Sequence, residues 1–266
     1  MDQPGIVMNR IIVVVALGAA AACTPGDLGR ADGDAVPTRL STVAAGDLLS
    51  SGLTPSKQES RGLEALRRPA PTGPLPGEVT VDSLGVDFGT SEALLRMIEF
   101  FDYGCGYCRA FHQNTRGPLH EQYVEPGQVF WKTIPFILGT WPASVSVSLA
   151  AECARDQGRG YFEAISALIF ARQSDWKAAS APEEMAEGFA EEIGLDMARY
   201  RTCFEKDEFL WRVQAQTALA EQLGVRGTPT FFLVGWGPIP GALPLETFQQ
   251  VIDTVFAQAA AEQLRP

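Results

Sequence analysis

Apolar positions along the chain fall into two regimes, with the change near Glu78. From there onward they recur with the periods that ordered elements require. "EVTVDS" (78–83) alternates apolar and polar residues and predicts a first, half-buried strand. "ALLRMIEFFDY" (93–103) and "QVFWKTIPF" (128–136) are near-continuous apolar and aromatic runs, the pattern of strands buried on both faces. Between them "CRAFHQNTRGPLHEQYV" (108–124) has helical spacing, so the three segments predict a strand–helix–strand unit. From Trp141 to Glu221, Ala, Glu, Leu and Gln dominate. Apolar residues there return every three or four positions, as in "SVSLAAECARDQ" and "YFEAISALIFARQ", which predicts several helices. "TPTFFLVG" then predicts a strand and "PLETFQQVIDTVFAQAAAEQL" a closing helix. The expected class is α/β.

Before Glu78 the periodicity is missing. "IIVVVALGAAAAC" follows Arg10, and an apolar run of about a dozen residues is too short to span a bilayer but suits a secretory leader. Residues 1–22 are therefore expected to be a signal peptide, with Met8 an alternative start and Ala20 and Ala22 as small residues before the cleavage point. Cys23 comes directly after Ala22, and the junction resembles the lipobox of bacterial lipoproteins, although Ala20 stands where leucine is usual. Two outcomes stay open: lipidation of Cys23 and anchoring to a membrane, or ordinary cleavage leaving a soluble periplasmic protein. Residues 23–77, rich in Pro, Gly, Ser and Ala ("RRPAPTGPLPG"), read as a flexible tether. Residues 78–266 are the folded part.

Charge removes one class of partner. With 21 Lys and Arg against 32 Asp and Glu, the chain carries a formal net charge of -11 and offers no basic groove to nucleic acid. The 46% hydrophobic content is ample for a core.

The chemistry concentrates in "EFFDYGCGYCRAF" (99–111), where Cys105 and Cys108 sit two residues apart between an expected strand and helix. A helix N-terminus offers free N–H groups and the positive end of its dipole, which stabilise an anion at Cys105. Cys108, one turn further in, suits the resolving thiol that releases a mixed disulfide. Gly106 and Tyr107, between the sulfurs, control access and local dielectric. A metal reading would use Cys105, Cys108, His112 and His120. His120 follows Gly117–Pro118 and no second CxxC is present, so no metal is expected; His112 reads as a helix-surface residue near the site.

With "FFDYGCGYC" and the late "VRGTPTFFLVG" in place, the chain resembles the thioredoxin superfamily and, within it, the DsbA-like thiol:disulfide interchange proteins, over roughly Glu78 to Leu264. The resemblance implies a thioredoxin fold with an inserted helical domain at about 141–222. It implies a cis bond before Pro229, with Thr228 and Pro229 binding substrate backbone beside the cysteines. It further implies Glu99, six residues before Cys105, as a buried acid of raised pKa taking the proton from Cys108, and Lys132 on the third strand tuning its charge. In an exported protein Cys153 and Cys203 could form a second, structural disulfide. The implied partners are unfolded or disulfide-containing client proteins and a membrane redox partner; no organic cofactor is implied, and the oligomeric state is left open. "CGYC" with Thr228 before the proline looks closer to the isomerase branch than to the strong oxidases. A different class of function, a peptide-binding chaperone-like module whose disulfide is redox-inert, remains the alternative.

Overall fold

The computed structural model of the protein describes residues 80–263. The expected signal peptide (1–22), tether (23–77) and lipidation at Cys23 lie outside the described residues. Five strands form one mixed sheet: β1 (Val86–Phe88), β2 (Leu95–Phe101), β3 (Val129–Pro135), β4 (Thr230–Leu233) and β5 (Gly237–Pro240), in the order β1-β3-β2-β4-β5. β2 and β3 run parallel and the other pairings are antiparallel. The central strand β2 is buried on both faces, as its continuous apolar run requires. Met97, Glu99 and Phe101 face one side, while Ile98 and Phe100 belong to the cluster on the other.

The helices are α1 (Gly106–Asn114), α2 (Arg116–Leu119), α3 (Ser144–Gln157), α4 (Arg159–Ala171), α5 (Gln173–Ala178), α6 (Pro182–Glu192), α7 (Met197–Glu205), α8 (Leu210–Gln222) and α9 (Leu245–Gln263). The strand–helix–strand unit places α1 between β2 and β3 in the chain. The main core joins Phe101, Phe111, Trp131, Phe231 and Phe248 to the helices that follow β3. At the end of the inserted stretch, α8 turns to the opposite sheet face, where Ala220 packs with Phe100, Ile134 and Phe136. The insertion expected at 141–222 thus ends in a helix that covers the sheet itself.

Three local expectations need correction. "EVTVDS" is not a strand: Val81–Ser83 is a short 3-10 turn, closed by Ser83 Oγ donating to the Thr80 carbonyl (2.9 Å) and accepting from the Thr80 amide (3.0 Å). The strand begins after Gly85, whose φ of 67° and near-contact with the Thr133 carbonyl leave no room for a side chain; an added Cβ would lie 2.5 Å from that oxygen. The helix expected at 108–124 is broken into α1, α2 and a π-turn at His120–Val124, because Pro118 has no N–H to return to the Asn114 carbonyl. β5 was not expected, since its sequence, Gly-Pro-Ile-Pro, is poor strand material. Gly241 N donates to the Pro229 carbonyl, and Ile239 lies opposite Phe231, so the odd-numbered residues face β4 and both prolines face outward along the sheet edge.

A buried ionic knot fixes how α3, α8 and the entry to β1 meet. Glu152 accepts from Arg212 Nε (2.9 Å) and Gln216 Nε2 (2.6 Å), and Arg212 donates onward to the carbonyls of Ser83 (2.7 Å) and Gly85 (3.2 Å). Both charges are buried, and Glu152 also accepts from Arg155 Nε (2.7 Å), so losing Arg212 still leaves Glu152 one cation, whereas losing Glu152 leaves the Arg212 charge in a low-dielectric interior with only carbonyl partners. The sulfurs of Cys153 on α3 and Cys203 on α7 are bonded, with Cα atoms 5.9 Å apart. No helix among the described residues is long and apolar enough to cross a membrane.

Candidate active site

β2 delivers its C-terminal end to the top of the sheet, and four residues later Cys105 becomes the N-cap of α1. Its thiol donates to the Thr228 carbonyl at 3.3 Å, across the Thr228–Pro229 peptide bond, which is cis. Cys105 and Cys108 are both free thiols, and Cys108 is fully buried while Cys105 retains 7% exposure. Tyr107 between them stands out into solvent at 73% exposure, and Gly106 is open on its outer side.

The two thiols are driven in opposite directions. Cys105 is lowered to about 6, chiefly by the hydrogen bond from the Cys108 thiol. Burial opposes this, and the Thr228 side chain, as distinct from its carbonyl, and the free amides of Cys108 and Tyr107 at the helix start add to it. Cys108 is pushed well above the ordinary thiol range by burial and by the neighbouring Cys105. One sulfur is an anion at neutral pH and the other keeps its proton.

Glu99 is fully buried and lies beneath α1. Its carboxylate accepts from His112 Nε2 (2.9 Å), Trp131 Nε1 (3.0 Å) and Thr133 Oγ1 (3.1 Å). Burial alone would raise its pKa, but His112, Arg116 and Trp131 outweigh burial and bring it to about 2. The raised pKa expected of Glu99 is therefore corrected: a carboxylate with three donors has no call for a proton. His112, expected on the helix surface, is largely covered, packs against Phe170 and is committed to Glu99. Lys132 is not brought to Glu99. It lies opposite Ile98 in the β2–β3 register, hence on the other sheet face, and pairs with Asp87 (2.5 Å) and the Leu84 carbonyl (3.0 Å). Among the described residues no group of three metal-ligating side chains converges, and His120 packs on Trp131 and Phe88.

The carboxylate nearest the cysteines is one that the sequence reading passed over. Asp102 is fully buried and accepts from Gly104 N (2.7 Å), Ser144 Oγ (2.7 Å) and Leu138 N (2.8 Å). Its own carbonyl accepts from Cys105 N at 3.0 Å. Burial raises its pKa, against those donors and Lys177. The signal was a charged residue inside an apolar run, directly before the CxxC. The inserted helices complete the enclosure: Gln173 Nε2 donates to the carbonyls of Tyr103 (2.6 Å) and Cys105 (2.9 Å), and Lys177 Nζ donates to that of Gly104 (2.7 Å). Gly104 is confined here, since a Cβ would meet Ser144 Oγ at 2.7 Å and Trp141 at 2.8 Å.

A thioredoxin family model matches residues 84–254, more than half of the chain. Among curated proteins, the chain is 28% identical over 182 residues to a Na(+)/H(+) antiporter NhaA 1 of Salinispora arenicola, covering 67% of this chain and 25% of that protein. A second such antiporter, from Salinispora tropica, is 28% identical over 178 residues. The chain spans about a quarter of the length of these relatives. Among solved structures, Wolbachia pipientis α-DsbA1 is similar with a TM-score of 0.60 and 19% identity, over 70% of this chain and 100% of that one. BdbD of Bacillus subtilis has a TM-score of 0.58 at 17% identity, over 67% and 95%. A thioredoxin-like oxidoreductase of Silicibacter pomeroyi has 0.52 at 28% identity, over 67% and 99%. The fold, with its parallel β2–β3 pair, CxxC at the start of α1 and helices inserted before β4, is that of the DsbA-like proteins. The chain belongs to the thioredoxin family.

Proposed function

We propose that this protein is an exported thiol:disulfide oxidoreductase that acts on the cysteines of client proteins and works most readily as a disulfide donor. The observation that carries the reading is the asymmetry of the pair: Cys105 is held as thiolate at a helix N-terminus, Cys108 as thiol, and both lie beside the Thr228–Pro229 turn. A stabilised thiolate is a good leaving group and favours the reduced pair, which makes the disulfide form oxidising.

In the forward reaction a client thiolate attacks Cys105 Sγ, the Cys105–Cys108 bond breaks, and Cys108 leaves with the electron pair and takes up a proton. A second client thiolate then attacks the client sulfur of the mixed disulfide and expels Cys105 as thiolate. Two client thiols become one client disulfide, two electrons reside on the pair, and one of the two client protons goes to solvent. Thr228 and Pro229 line the approach to Cys105, and the exposed Tyr107 with Gly106 meets the client. A membrane redox partner would remove the electrons. The leader at 1–22 supports export to the periplasm, and Cys23 the option of a lipid anchor.

The test is transfer from the oxidised full chain to a reduced two-cysteine peptide, followed by mass spectrometry. The expected outcome is stoichiometric peptide oxidation, none with Cys105→Ser, and a trapped mixed disulfide through Cys105 with Cys108→Ser. Transfer that runs only from a peptide disulfide to the reduced chain would place the protein with reductants and isomerases. Complete inertness, with peptide still bound, would leave a chaperone-like clamp.

A further inference from the structure

The inserted helices bring one cation to the cysteines. Lys177 on α5 is half-buried, and its ammonium is fixed from two sides: it donates to the Gly104 carbonyl at 2.7 Å and lies 3.7 Å from the centre of the Trp141 ring. Gln173, one turn earlier on the same helix, holds the carbonyls of Tyr103 and Cys105. The α5 helix is thus bonded to three successive residues ending at the nucleophile. The charged groups facing Lys177 are Asp102 at the end of β2, Cys105 at the start of α1 and Arg109 one turn further along it; the first two attract it and the third repels it.

We infer that Lys177 is a positioning residue whose ammonium, pinned by Gly104 and Trp141, stabilises the Cys105 thiolate and so strengthens the pair as an electron acceptor. The inference rests on the exchange reading above and names a further group that biases its direction. The geometry separates two contributions of this side chain. The hydrogen bond to Gly104 shapes the loop, and any donor of similar reach can make it; the charge acts on Cys105 and needs a cation. Asp102 lies on the same ammonium and limits how much of that charge reaches the sulfur.

The separation defines the experiment. Lys177→Gln keeps a donor and loses the charge, whereas Lys177→Arg keeps both. The reduced full chain is titrated by thiolate ultraviolet absorbance, and its pair is equilibrated with glutathione in parallel. The expected result for Lys177→Gln is a Cys105 midpoint raised by about half a pH unit and an equilibrium moved by up to about threefold toward the disulfide, with Lys177→Arg close to the parent on both. A Lys177→Gln midpoint equal to the parent's would overturn the inference and leave exchange activity intact, as would a Lys177→Arg midpoint raised as far as the glutamine variant's. If the parent pair fails to equilibrate with glutathione, the exchange reading falls; the midpoints still decide whether Lys177 acts on Cys105.

Discussion

Cys105 and Cys108 lie one helical turn apart, and what separates their chemistry is where hydrogen-bond donors and solvent reach them. Cys105 has the Cys108 thiol and the free amides of the first turn; at Cys108 burial and the neighbouring Cys105 outweigh its hydrogen bonds with Thr228 and the Asp102 backbone. Cys108→Ala deletes the principal donor, so the Cys105 midpoint is expected to rise from about 6 by about one pH unit or more, with Cys108→Ser moving it less because a hydroxyl still donates. The pH dependence of iodoacetamide alkylation measures this directly. At this scale the sequence was informative wherever chemistry is local: the CxxC spacing, the helix start and Thr228–Pro229 can all be read within a few residues. It was misleading for Glu99, because the groups that lower its pKa, His112, Arg116 and Trp131, arrive from other elements. Lys177 and Gln173 left no trace at all, being separated from Cys105 by some seventy residues of chain.

Among elements, α3 and α7 are joined by Cys153–Cys203, with 50 residues of sequence separation. On the chain-entropy account a loop of that length contributes about 4 kcal/mol. Replacing both cysteines with Ala is expected to lower the unfolding free energy by about that amount in denaturant titrations. The Cys105 midpoint should stay in place, because neither cysteine touches the active-site loop. Two of the elements that pattern reading misjudged, β1 and β5, fail for related reasons. β1 is three residues long, too short for alternation to register, and its position is fixed by the tight approach of Gly85 to Thr133. β5 is held by pairing with β4 against its own composition. The long apolar runs of β2 and β3 were legible because burial on both faces writes itself into every position.

For the molecule as a whole, the active site is a cost or gain to stability that depends on pH. Cys105 has a folded pKa of about 6 against an ordinary 9, so ionisation favours the folded, reduced protein increasingly from pH 6 to 9 and the gain disappears as pH falls through 6. Cys108 titrates above that window and does not contribute within it. The stability of the reduced protein relative to Cys105→Ala is therefore expected to grow on raising the pH from 6 to 9, while the disulfide form, with no thiol to ionise, shows no such term. Chemical denaturation of the two forms across that range measures it.

The outward prolines of β5 bear on a hazard that the exchange role proposed above would bring, since unfolded chains would pass this site. A sheet edge with free amides is a template on which a disordered polypeptide can add itself as a further strand, and such a complex grows instead of turning over. Pro238 and Pro240 withhold the donors on that flank, so the edge nearest the Pro229 turn offers a passing chain acceptors alone and half of a strand ladder cannot form. In the proposed exchange, strand addition at this edge then adds no hold on the client beyond the Thr228–Pro229 turn and the mixed disulfide through Cys105.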